Sequence, residues 1–422
     1  MRAVVVALGK IGLPLAVQLA RAGHEVVGCD IDAEVVATVA AGRAPFPGEE
    51  GLALPLEEAV GAGRLRASTD TAAAVRTGPD LVALVPPLVV DAANLPAWGA
   101  LDAVCAAVGA GLQQGTTVAL ETTVPVGTTR QRVAPALEAA SGLTAGRDFD
   151  VVFSPERVSS GRVLRDLATY PKLVGGLDPA GEARGTELYA SFVDAEVRAL
   201  GSAETAELAK LAETTYRDVN IALANEFARH ADELGVDVAT VIEAANSQPY
   251  SHIHRPGVAV GGHCIPVYPR FYLAGHPTAM LPAMGRAVNE QMPGYAAELL
   301  GAALGGLDGA RVAVLGIAYR GGVRETAFSG ARALAGVLAA AGAQVVATDP
   351  LYSPGEVEAE GFVPWDGLSA VDGAVVQADH AEYADLTPGD LPGVRAVVDG
   401  RWVLDPEPFR AAGVTVRRIG RP

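Results

Sequence analysis

Cysteine and lysine are both scarce in this chain of 422 residues. The three cysteines, Cys29, Cys105 and Cys264, are far apart and lack the paired spacing of a zinc site. A disulfide framework is therefore not expected, no metal site is predicted, and the thiols indicate a reducing compartment. The three lysines are Lys10, Lys172 and Lys210, while every other basic residue is arginine. A retained lysine is informative in such a chain, because lysine can lose its proton at working pH and arginine cannot.

Long apolar runs and an excess of positive charge are also lacking. No run approaches 18 apolar residues without Gly, Pro or charge, so no membrane span is expected. The opening MRAVVVALGKIG enters a strand directly, unlike a signal peptide. The net charge of -17 disfavours nucleic acid and anionic membranes as partners, although backbone amides and a few arginines can still bind a small anion. We expect a cytoplasmic protein.

Alternating strand and helix patterns fill the first part of the chain. RAVVVAL, HEVVGCDID, DLVALVP and TTVALETTV are typical of strands, and GLPLAVQLARAG is typical of a helix. A second βαβ pattern begins at ARVAVLGIAYR, residues 310–320, and continues through SGARALAGVLAAAGA to QVVATDP. Both units predict parallel sheets with helices on each face.

Helix formers dominate residues 203–246, which lie between these two units. Leu208, Leu211, Tyr216 and Phe227 recur there at helical spacing and could pack against other elements. The predicted fold is α/β, with two Rossmann-like doubly wound domains joined by a long-helix central domain. We place the domains at residues 1–195, 196–298 and 299–422.

The turn Ala7-Leu8-Gly9-Lys10-Ile11-Gly12 resembles the dinucleotide fingerprint G-x-G-x-x-G, with alanine at its first position. Gly9 would let the backbone approach a pyrophosphate, and Gly12 would let the helix pack on the strand. Asp30 follows about 20 residues later, where a carboxylate accepts ribose hydroxyls and repels a 2′-phosphate. NAD is therefore favoured over NADP, although a ligand-free turn remains the alternative.

The second βαβ unit has no such fingerprint. Its turn carries Arg320 and Arg324, which suit a phosphate-bearing substrate. Two solvated arginines are an equally good interpretation of this stretch alone.

Cys264 lies in GVAVGGHCIPVYPRFY, residues 257–272, a loop rich in glycine and bounded by proline. Functional residues concentrate in such loops. Cys29 and Cys105 lie in apolar patterns and are assigned to the core. A thiolate beside an oxidising cofactor suggests covalent oxidation of an aldehyde through a thiohemiacetal and a thioester.

Several separate motifs together resemble the UDP-glucose/GDP-mannose dehydrogenase family of nucleotide-sugar 6-dehydrogenases. They are ETTVPVGTT at 121–129, SPERV at 154–158, ELAKLAETTYRDVNIALANE at 207–226 and VGGHCIP at 260–266, and they span essentially the whole chain. The GHCIP form is most similar to the branch that acts on UDP-N-acetylhexosamines, UDP-N-acetylmannosamine above all. The resemblance implies oxidation of the sugar C6 alcohol to a carboxylate in two NAD-dependent steps, a UDP-sugar substrate and a homodimer built on the long helix.

The resemblance also implies roles for individual residues. Cys264 would be the nucleophile. Lys210 would stabilise a developing alkoxide or oxyanion and help proton transfer, and Glu156 would handle protons or water at the thiohemiacetal and thioester stages. Thr214 completes the catalytic set. The cofactor residues would be Gly9, Lys10, Ile11, Gly12, Asp30, Val85, Pro86, Glu121, Thr123 and Arg324. The substrate residues would be Arg157, Lys210, Asn220, Tyr250, His252, Gly261, Tyr268, Tyr319 and Arg320.

Departures from the family pattern cluster near this chemistry. Tyr268 stands where the family has Asp, and Thr214 stands where it has Asn. Tyr250 and His252 replace an arginine and an asparagine, and Ala259 replaces a glycine. Val85-Pro86-Pro87-Leu88 also lacks the threonine of the usual VPTP.

Three hypotheses follow from the motifs and their departures. The first is a four-electron dehydrogenase with a non-standard nucleotide sugar. The second is altered chemistry on the same scaffold, which stops at the aldehyde or oxidises transiently to epimerise or rearrange the sugar. The third is a non-catalytic sensor of NAD or a nucleotide sugar, which would have no need of Cys264.

Overall fold

The computed structural model describes residues 1–159 and 161–421. The chain divides into two compact units, one of Met1–Glu213 with Arg270–Pro277 and one of Thr214–Pro269 with Thr278–Pro422. No helix among the described residues is long and apolar enough to cross a membrane. The domain bounds at residues 195 and 298 and the cytoplasmic location stay predictions.

The first unit contains an eight-stranded sheet with the order β3-β2-β1-β4-β5-β6-β7-β8. Neighbouring strands are parallel except β6 and β7, which are antiparallel. The strands are β1 Arg2–Val6, β2 Glu25–Cys29, β3 Leu65–Ser68, β4 Leu81–Leu84, β5 Thr117–Leu120, β6 Asp150–Phe153, β7 Lys172–Gly176 and β8 Val197–Ala199. The helices are α1 Gly12–Arg21, α2 Ala33–Ala40, α3 Ala53–Gly61, α4 Thr71–Arg76, α5 Gly99–Gly109, α6 Ala134–Ser141 after a π-helical turn at Thr129–Val133, α7 Val163–Thr169 and α8 Pro179–Ala190.

Four helices follow these strands along the chain. They are α9 Ala203–Leu234, α10 Val238–Asn246, α11 Tyr268–Gly275 and α12 Met280–Leu304. The helical pattern predicted over 203–246 is thus two helices, because Gly235 ends α9 with a positive φ of 68° and Asp237 caps α10. Leu211 is buried, but Tyr216 and Phe227 are exposed, so only part of the predicted apolar set packs within the chain.

The second unit contains a fully parallel five-stranded sheet with the order β10-β9-β11-β12-β13. Val312 and Val314 face a core that includes α12 and α13, while Ala313 and Leu315 face the opposite core with Phe409. Alternate residues of one strand therefore enter different cores, as expected for a sheet covered on both faces. The elements are β9 Arg311–Leu315, α13 Gly330–Ala340, β10 Gln344–Thr348, α14 Pro354–Ala359, β11 Gly373–Val376, β12 Ala396–Asp399, α15 Glu407–Ala411 and β13 Thr415–Arg418, with 3₁₀ turns at Ala381–Asp385 and Pro388–Asp390.

The predicted fold class is confirmed. Both βαβ patterns form strand, helix and parallel strand, and the long helix lies between them along the chain.

Candidate active site

The turn between β1 and α1 has the shape that a dinucleotide needs. A Cβ placed on Gly12 would lie 1.9 Å from the carbonyl oxygen of Ala7, so only glycine lets α1 start this close to the strand. A Cβ on Gly9 would meet no atom within 4 Å, which leaves room beside that backbone. Both predicted glycine roles are consistent with this geometry.

Asp30 lies directly after β2 and faces the same turn. Its Oδ2 accepts a hydrogen bond from the backbone N of Leu8 at 2.7 Å, and its Oδ1 accepts one from the N of Asp32 at 3.0 Å. The helix α1 begins after Ile11, whose apolar side chain cannot cap the first amides. A positive helix end and a nearby partly exposed carboxylate fit the pyrophosphate and ribose of NAD.

Ala7 replaces the first glycine of the fingerprint and adopts a strained backbone conformation. Its φ is 78°, in the left-handed region where a Cβ is unfavourable. The alanine therefore keeps the turn geometry that a glycine normally supplies.

The segments after β4 and β5 meet at the carboxyl edge of the first sheet. The hydroxyl of Thr122 donates to the carbonyl oxygen of Pro86 at 2.6 Å, which ties Val85-Pro86 to the ETTVP segment. Thr123 is buried at the same edge. These residues remain predicted cofactor contacts.

A buried ionic cluster lies at this edge, and the sequence did not predict it. The Nζ of Lys172 donates to Oε2 of Glu121 at 2.6 Å and to Oε2 of Glu156 at 2.9 Å. The hydroxyl of Tyr189 donates to Oε1 of Glu121. The carboxylate of Glu121, predicted to lie near the cofactor, is thus engaged by two buried side chains.

Burial controls the protonation of this cluster. It raises the pKa of Glu121 despite the nearby Lys172, and it raises the pKa of Tyr189 further with help from the Glu121 charge. Burial alone would lower the pKa of Lys172, but Glu121 and Glu156 outweigh it, and the pKa of Lys172 is raised. Lys172 is therefore a cation that is shared by two carboxylates.

Arg157 and α9 complete the candidate residues of the first unit. Arg157 donates to the carbonyl oxygen of Pro171 and pairs with Glu213 at 3.6 Å. Lys210 is buried on α9. Glu207, one turn earlier on the same helix, accepts hydrogen bonds from the backbone N of Gly127 and Thr129 and so has a structural role.

Cys264 differs from the other two cysteines in exposure. It is partly exposed, whereas Cys29 and Cys105 are buried, as predicted. Burial raises the pKa of Cys29 to about 11 and that of Cys105 to about 12, so both are poor nucleophiles at neutral pH. Cys264 is the accessible thiol of the chain.

The loop before Cys264 packs against the β9–α13 loop within the second unit. A Cβ on Gly261 would lie 2.7 Å from Cβ of Tyr319, and Gly262 has a φ of 88°. The imidazole Nε2 of His263 lies 2.7 Å from Oε1 of Glu325. The two glycines and this pair therefore fix the residues just before the thiol.

Tyr268 begins α11, and its backbone N donates to the carbonyl oxygen of Cys264 at 2.9 Å. Thr214 is buried on α9. Both predicted site residues thus lie in ordered helical positions where the family has a carboxylate and an amide.

The predicted arginines of the β9–α13 loop differ in their contacts. Arg324 pairs with Glu356 and donates to the carbonyl oxygen of Leu351 at 3.1 Å. Arg320 lies over the ring of Tyr319, at 5.7 Å from its centroid. Arg324 is thus held by a surface carboxylate of its own unit.

Arg401 is an arginine of the second unit that the sequence did not single out. Its Nε donates to the carbonyl oxygen of Gln377 at 2.6 Å, and a Cβ on Gly257 would lie 3.0 Å from its Nη1. Burial lowers the pKa of its guanidinium, against the opposing charges of Asp379 and Asp399. The DGR run before Trp402 gave no signal, because the neighbours of Arg401 come from segments far away in the chain.

The remaining predicted substrate residues lie around the segment after α10. Asn220 donates to the carbonyl oxygen of His252 at 2.8 Å and accepts from the backbone N of His254 at 2.9 Å. Its amide therefore holds the segment, and its predicted substrate contact stays a prediction. Tyr250 is 93% exposed and His252 is also exposed.

Among residues 1–159 and 161–421, no group of three His, Cys, Asp or Glu residues is arranged to hold a metal ion.

Three family models cover most of the chain. They are the NAD binding domain of the UDP-glucose/GDP-mannose dehydrogenase family at residues 1–193, its central domain at 204–290 and its UDP binding domain at 313–407. Among similar proteins, the UDP-N-acetyl-D-mannosamine dehydrogenase of Pyrococcus horikoshii is 35% identical over 429 residues, with 100% of this chain and 99% of that protein covered. An NDP-N-acetyl-D-galactosaminuronic acid dehydrogenase of Ralstonia solanacearum is 33% identical, with 94% and 95% covered.

A solved structure agrees with these sequences. The structure of the UDP-D-ManNAc dehydrogenase from Pyrococcus horikoshii has a TM-score of 0.90 and 34% identity, and the comparison covers 100% of this chain and 99% of that one.

Proposed function

This chain belongs to the UDP-glucose/GDP-mannose dehydrogenase family, and from that premise we propose that it oxidises C6 of a UDP-N-acetylhexosamine to the uronic acid. The predicted enzyme class, an NAD-dependent nucleotide-sugar dehydrogenase, and the predicted cofactor NAD are confirmed by this membership. UDP-N-acetylmannosamine is the proposed substrate, because a relative of that name matches the chain from end to end. The accessible Cys264 is the observation that supports the covalent route.

The proposed reaction has two oxidations. When bound, NAD+ accepts one hydride from C6 in each of them. In the first, Glu156 receives the hydroxyl proton, directly or through water, while Lys210 stabilises the developing alkoxide, and the product is the C6 aldehyde. The Sγ of Cys264 then bonds to C6 while the C=O π bond breaks, and the thiol proton ends on the former carbonyl oxygen, which gives a thiohemiacetal.

The second oxidation converts the thiohemiacetal into a thioester. Glu156 activates a water, whose oxygen bonds to C6 while the C–S bond breaks and the thiol is restored. The sum is one alcohol, one water and two NAD+ converted to one carboxylate, two NADH and three protons.

NAD would be held by the β1–α1 turn, with the pyrophosphate at Gly9 and the start of α1 and the ribose at Asp30. For the uridine diphosphate we propose Arg320 and Arg401, because guanidinium groups suit phosphate oxygens.

A homodimer is also proposed. Tyr216, Leu223 and Phe227 are exposed at spacings of seven and four residues, which places them on one face of α9. An apolar stripe of this kind on a long helix is typical of a helix that packs against another surface.

Tyr268 and Thr214 favour a second candidate function. Without the family's aspartate and asparagine, the enzyme could stop at the aldehyde or oxidise only transiently to change the sugar. The two candidates differ in the NADH formed per sugar consumed.

The test incubates the purified protein with NAD and a set of UDP- and GDP-sugars. We expect two NADH and one carboxylate per UDP-N-acetylmannosamine, and Cys264→Ser should end acid formation while Cys29→Ala, at a buried thiol, should not. One NADH per sugar would favour the second candidate. Acid formed by Cys264→Ser at the parent rate would exclude the covalent route.

A further inference from the structure

Lys172 has a place beside the proposed catalytic carboxylate that the motifs do not assign. We propose that Lys172 is a positioning residue, which holds the Glu156 carboxylate ionised and in one orientation, and that Glu121 weakens this hold by sharing the ammonium. The proposal rests on the role of Glu156 in the proposed function.

The antiparallel orientation of β7 brings Lys172 and Glu156 together. Phe153 of β6 pairs with Gly175 of β7 in antiparallel register. Continued beyond the end of β6, this register carries Lys172, the first residue of β7, opposite Glu156. A parallel β7 would place its first residue at the other edge of the sheet, where Glu156 does not lie.

Both oxygens of Glu156 are then held. Oε2 accepts from Lys172 at 2.9 Å, and Oε1 accepts from the backbone N of Arg157 at 2.7 Å. Both contacts are with donors, so both oxygens act as acceptors and the carboxylate is held in one orientation. A carboxylate held in this form can accept a proton from a substrate hydroxyl or from water.

The charges around Glu156 come from several elements. Lys172 belongs to β7, Glu121 follows β5 and Tyr189 belongs to α8, while the Arg157 side chain pairs with Glu213 on α9. Two carboxyl groups share one ammonium, so Lys172 is divided between Glu121 and Glu156. Glu121 is fully buried and Lys172 is 5% exposed, whereas 11% of the Glu156 side chain is exposed.

This gradient of exposure decides which carboxylate can react. Glu121 contacts Lys172 and Tyr189 and is enclosed by them. Glu156 lies at the more accessible end of the cluster. Glu121 therefore competes with Glu156 for the ammonium of Lys172.

Two variants should move the acidic limb of the kcat/KM profile in opposite directions. Lys172→Met removes the cation, so we expect the limb to move to higher pH by about one unit or more. Glu121→Gln removes the competing carboxylate, so we expect the limb to move to lower pH. Lys172→Arg keeps the charge and should restore most of the parent profile.

Arg286→Met provides the matched control. Arg286 makes a buried bidentate pair with Asp218 in the second unit, at 2.5 and 2.6 Å. Loss of that pair removes comparable buried charge far along the chain from Glu156. We expect Arg286→Met to lower the stability of the protein and to leave the acidic limb of the kcat/KM profile where it is. Equal shifts of this limb in Arg286→Met and Lys172→Met would overturn the proposal.

A second measurement needs no turnover. The chain has three lysines, so protein labelled with 13C at the lysine Cε carbons gives three assignable signals, and Lys172→Arg identifies one of them. We expect the Lys172 signal to shift as Glu156 titrates and this step to vanish in Glu156→Gln. A Lys172 signal that is the same in the parent protein and in Glu156→Gln across the pH range would overturn the proposal.

The two measurements separate the possible failures. Absence of NADH from every sugar in the parent protein would overturn the proposed function, and the lysine signals would still decide the contact. An active parent with unmoved limbs in Lys172→Met and Glu121→Gln would overturn the positioning role alone.

Discussion

The two βαβ units share one topology but differ at their first turn. In the first unit, Asp30 follows β2, stays partly exposed and accepts a hydrogen bond from one amide of the β1–α1 turn. In the second unit, Asp349 follows β10, is 2% exposed and accepts from the backbone N of both Ile317 and Ala318. His380 contacts the same carboxylate at 3.1 Å.

The helices that follow these turns also differ in how their N-termini are capped. The N-terminus of α1 follows the apolar Ile11, whereas Ser329 caps α13 by accepting from the backbone N of Ala331 at 3.2 Å. The second turn therefore uses its aspartate and its helix cap within the protein, whereas Asp30 stays partly exposed and α1 has no side-chain cap. We expect dinucleotide binding to depend on this loop chemistry and not on the βαβ topology.

Loss of the Asp349 carboxylate should have the largest effect. Asp349→Ala leaves buried amides and His380 without their acceptor, so we expect the free energy of unfolding to fall by about 3–5 kcal/mol. Chemical denaturation measures this loss, and NAD affinity of the folded fraction should stay unchanged. A variant as stable as the parent would show that the second turn is not closed by this residue.

The same carboxylate predicts an acid dependence. Burial would raise the pKa of Asp349, but His380 and the backbone N–H groups of Ala318 and Leu351 outweigh it and hold the pKa below its ordinary value. A depressed pKa contributes stability that is present above the unfolded value of about 3.9 and is lost as the pH falls through the folded value. Asp349→Asn should therefore flatten the decline of stability below about pH 4.

Gly316 occupies the position in the second turn that Ala7 occupies in the first. Its φ is 93°, and an added Cβ would lie 2.5 Å from Cβ of Ala378. Gly316→Ala should destabilise the protein by about 2–4 kcal/mol, as strain adds to overpacking. Thermal unfolding monitored by circular dichroism tests this, and a loss below about 1 kcal/mol would contradict it.

Asp30→Ala should act on binding instead of folding. Without the acceptor for the ribose hydroxyls, we expect NAD to bind about tenfold more weakly, a loss of about 1.4 kcal/mol. Isothermal titration with NAD, with the UDP-sugar as the comparison ligand, measures it. An unchanged NAD affinity would mean that the ribose is bound elsewhere.

Ala7→Gly should give the smallest change, and in the opposite direction. Glycine adopts the φ of 78° without the Cβ penalty, so we expect about 1 kcal/mol of added stability. The melting temperature should rise, and a fall would indicate that the methyl group of Ala7 contributes packing that outweighs its strain.

Local patterns predicted much of the molecule. Hydrophobic periodicity predicted both βαβ units, in RAVVVAL and GLPLAVQLARAG and in their counterparts after residue 310. This was possible because strand and helix periods depend on residues that are neighbours in the chain. The core positions of Cys29 and Cys105 and the open turn at Gly9 followed from the same local signals.

Long-range contacts escaped the sequence reasoning. Glu121 follows β5, Glu156 follows β6, and Lys172 and Tyr189 belong to β7 and α8. The antiparallel register of β7 brings Lys172 opposite Glu156. The place of Glu121 near the cofactor stays a prediction, but its contacts with Lys172 and Tyr189 were not foreseen. Arg401 was missed for the same reason.

The sequence by itself determined the two sheets, the long helix, the family and the choice of NAD. These depend on hydrophobic periods, glycine positions and motifs that lie within a few dozen residues of one another. Tertiary structure decided that Asp30 stays partly exposed while Asp349 is buried, and that Lys172 is shared by Glu121 and Glu156. Burial and strand register set these outcomes, because both arise only when segments that are distant in the chain pack together.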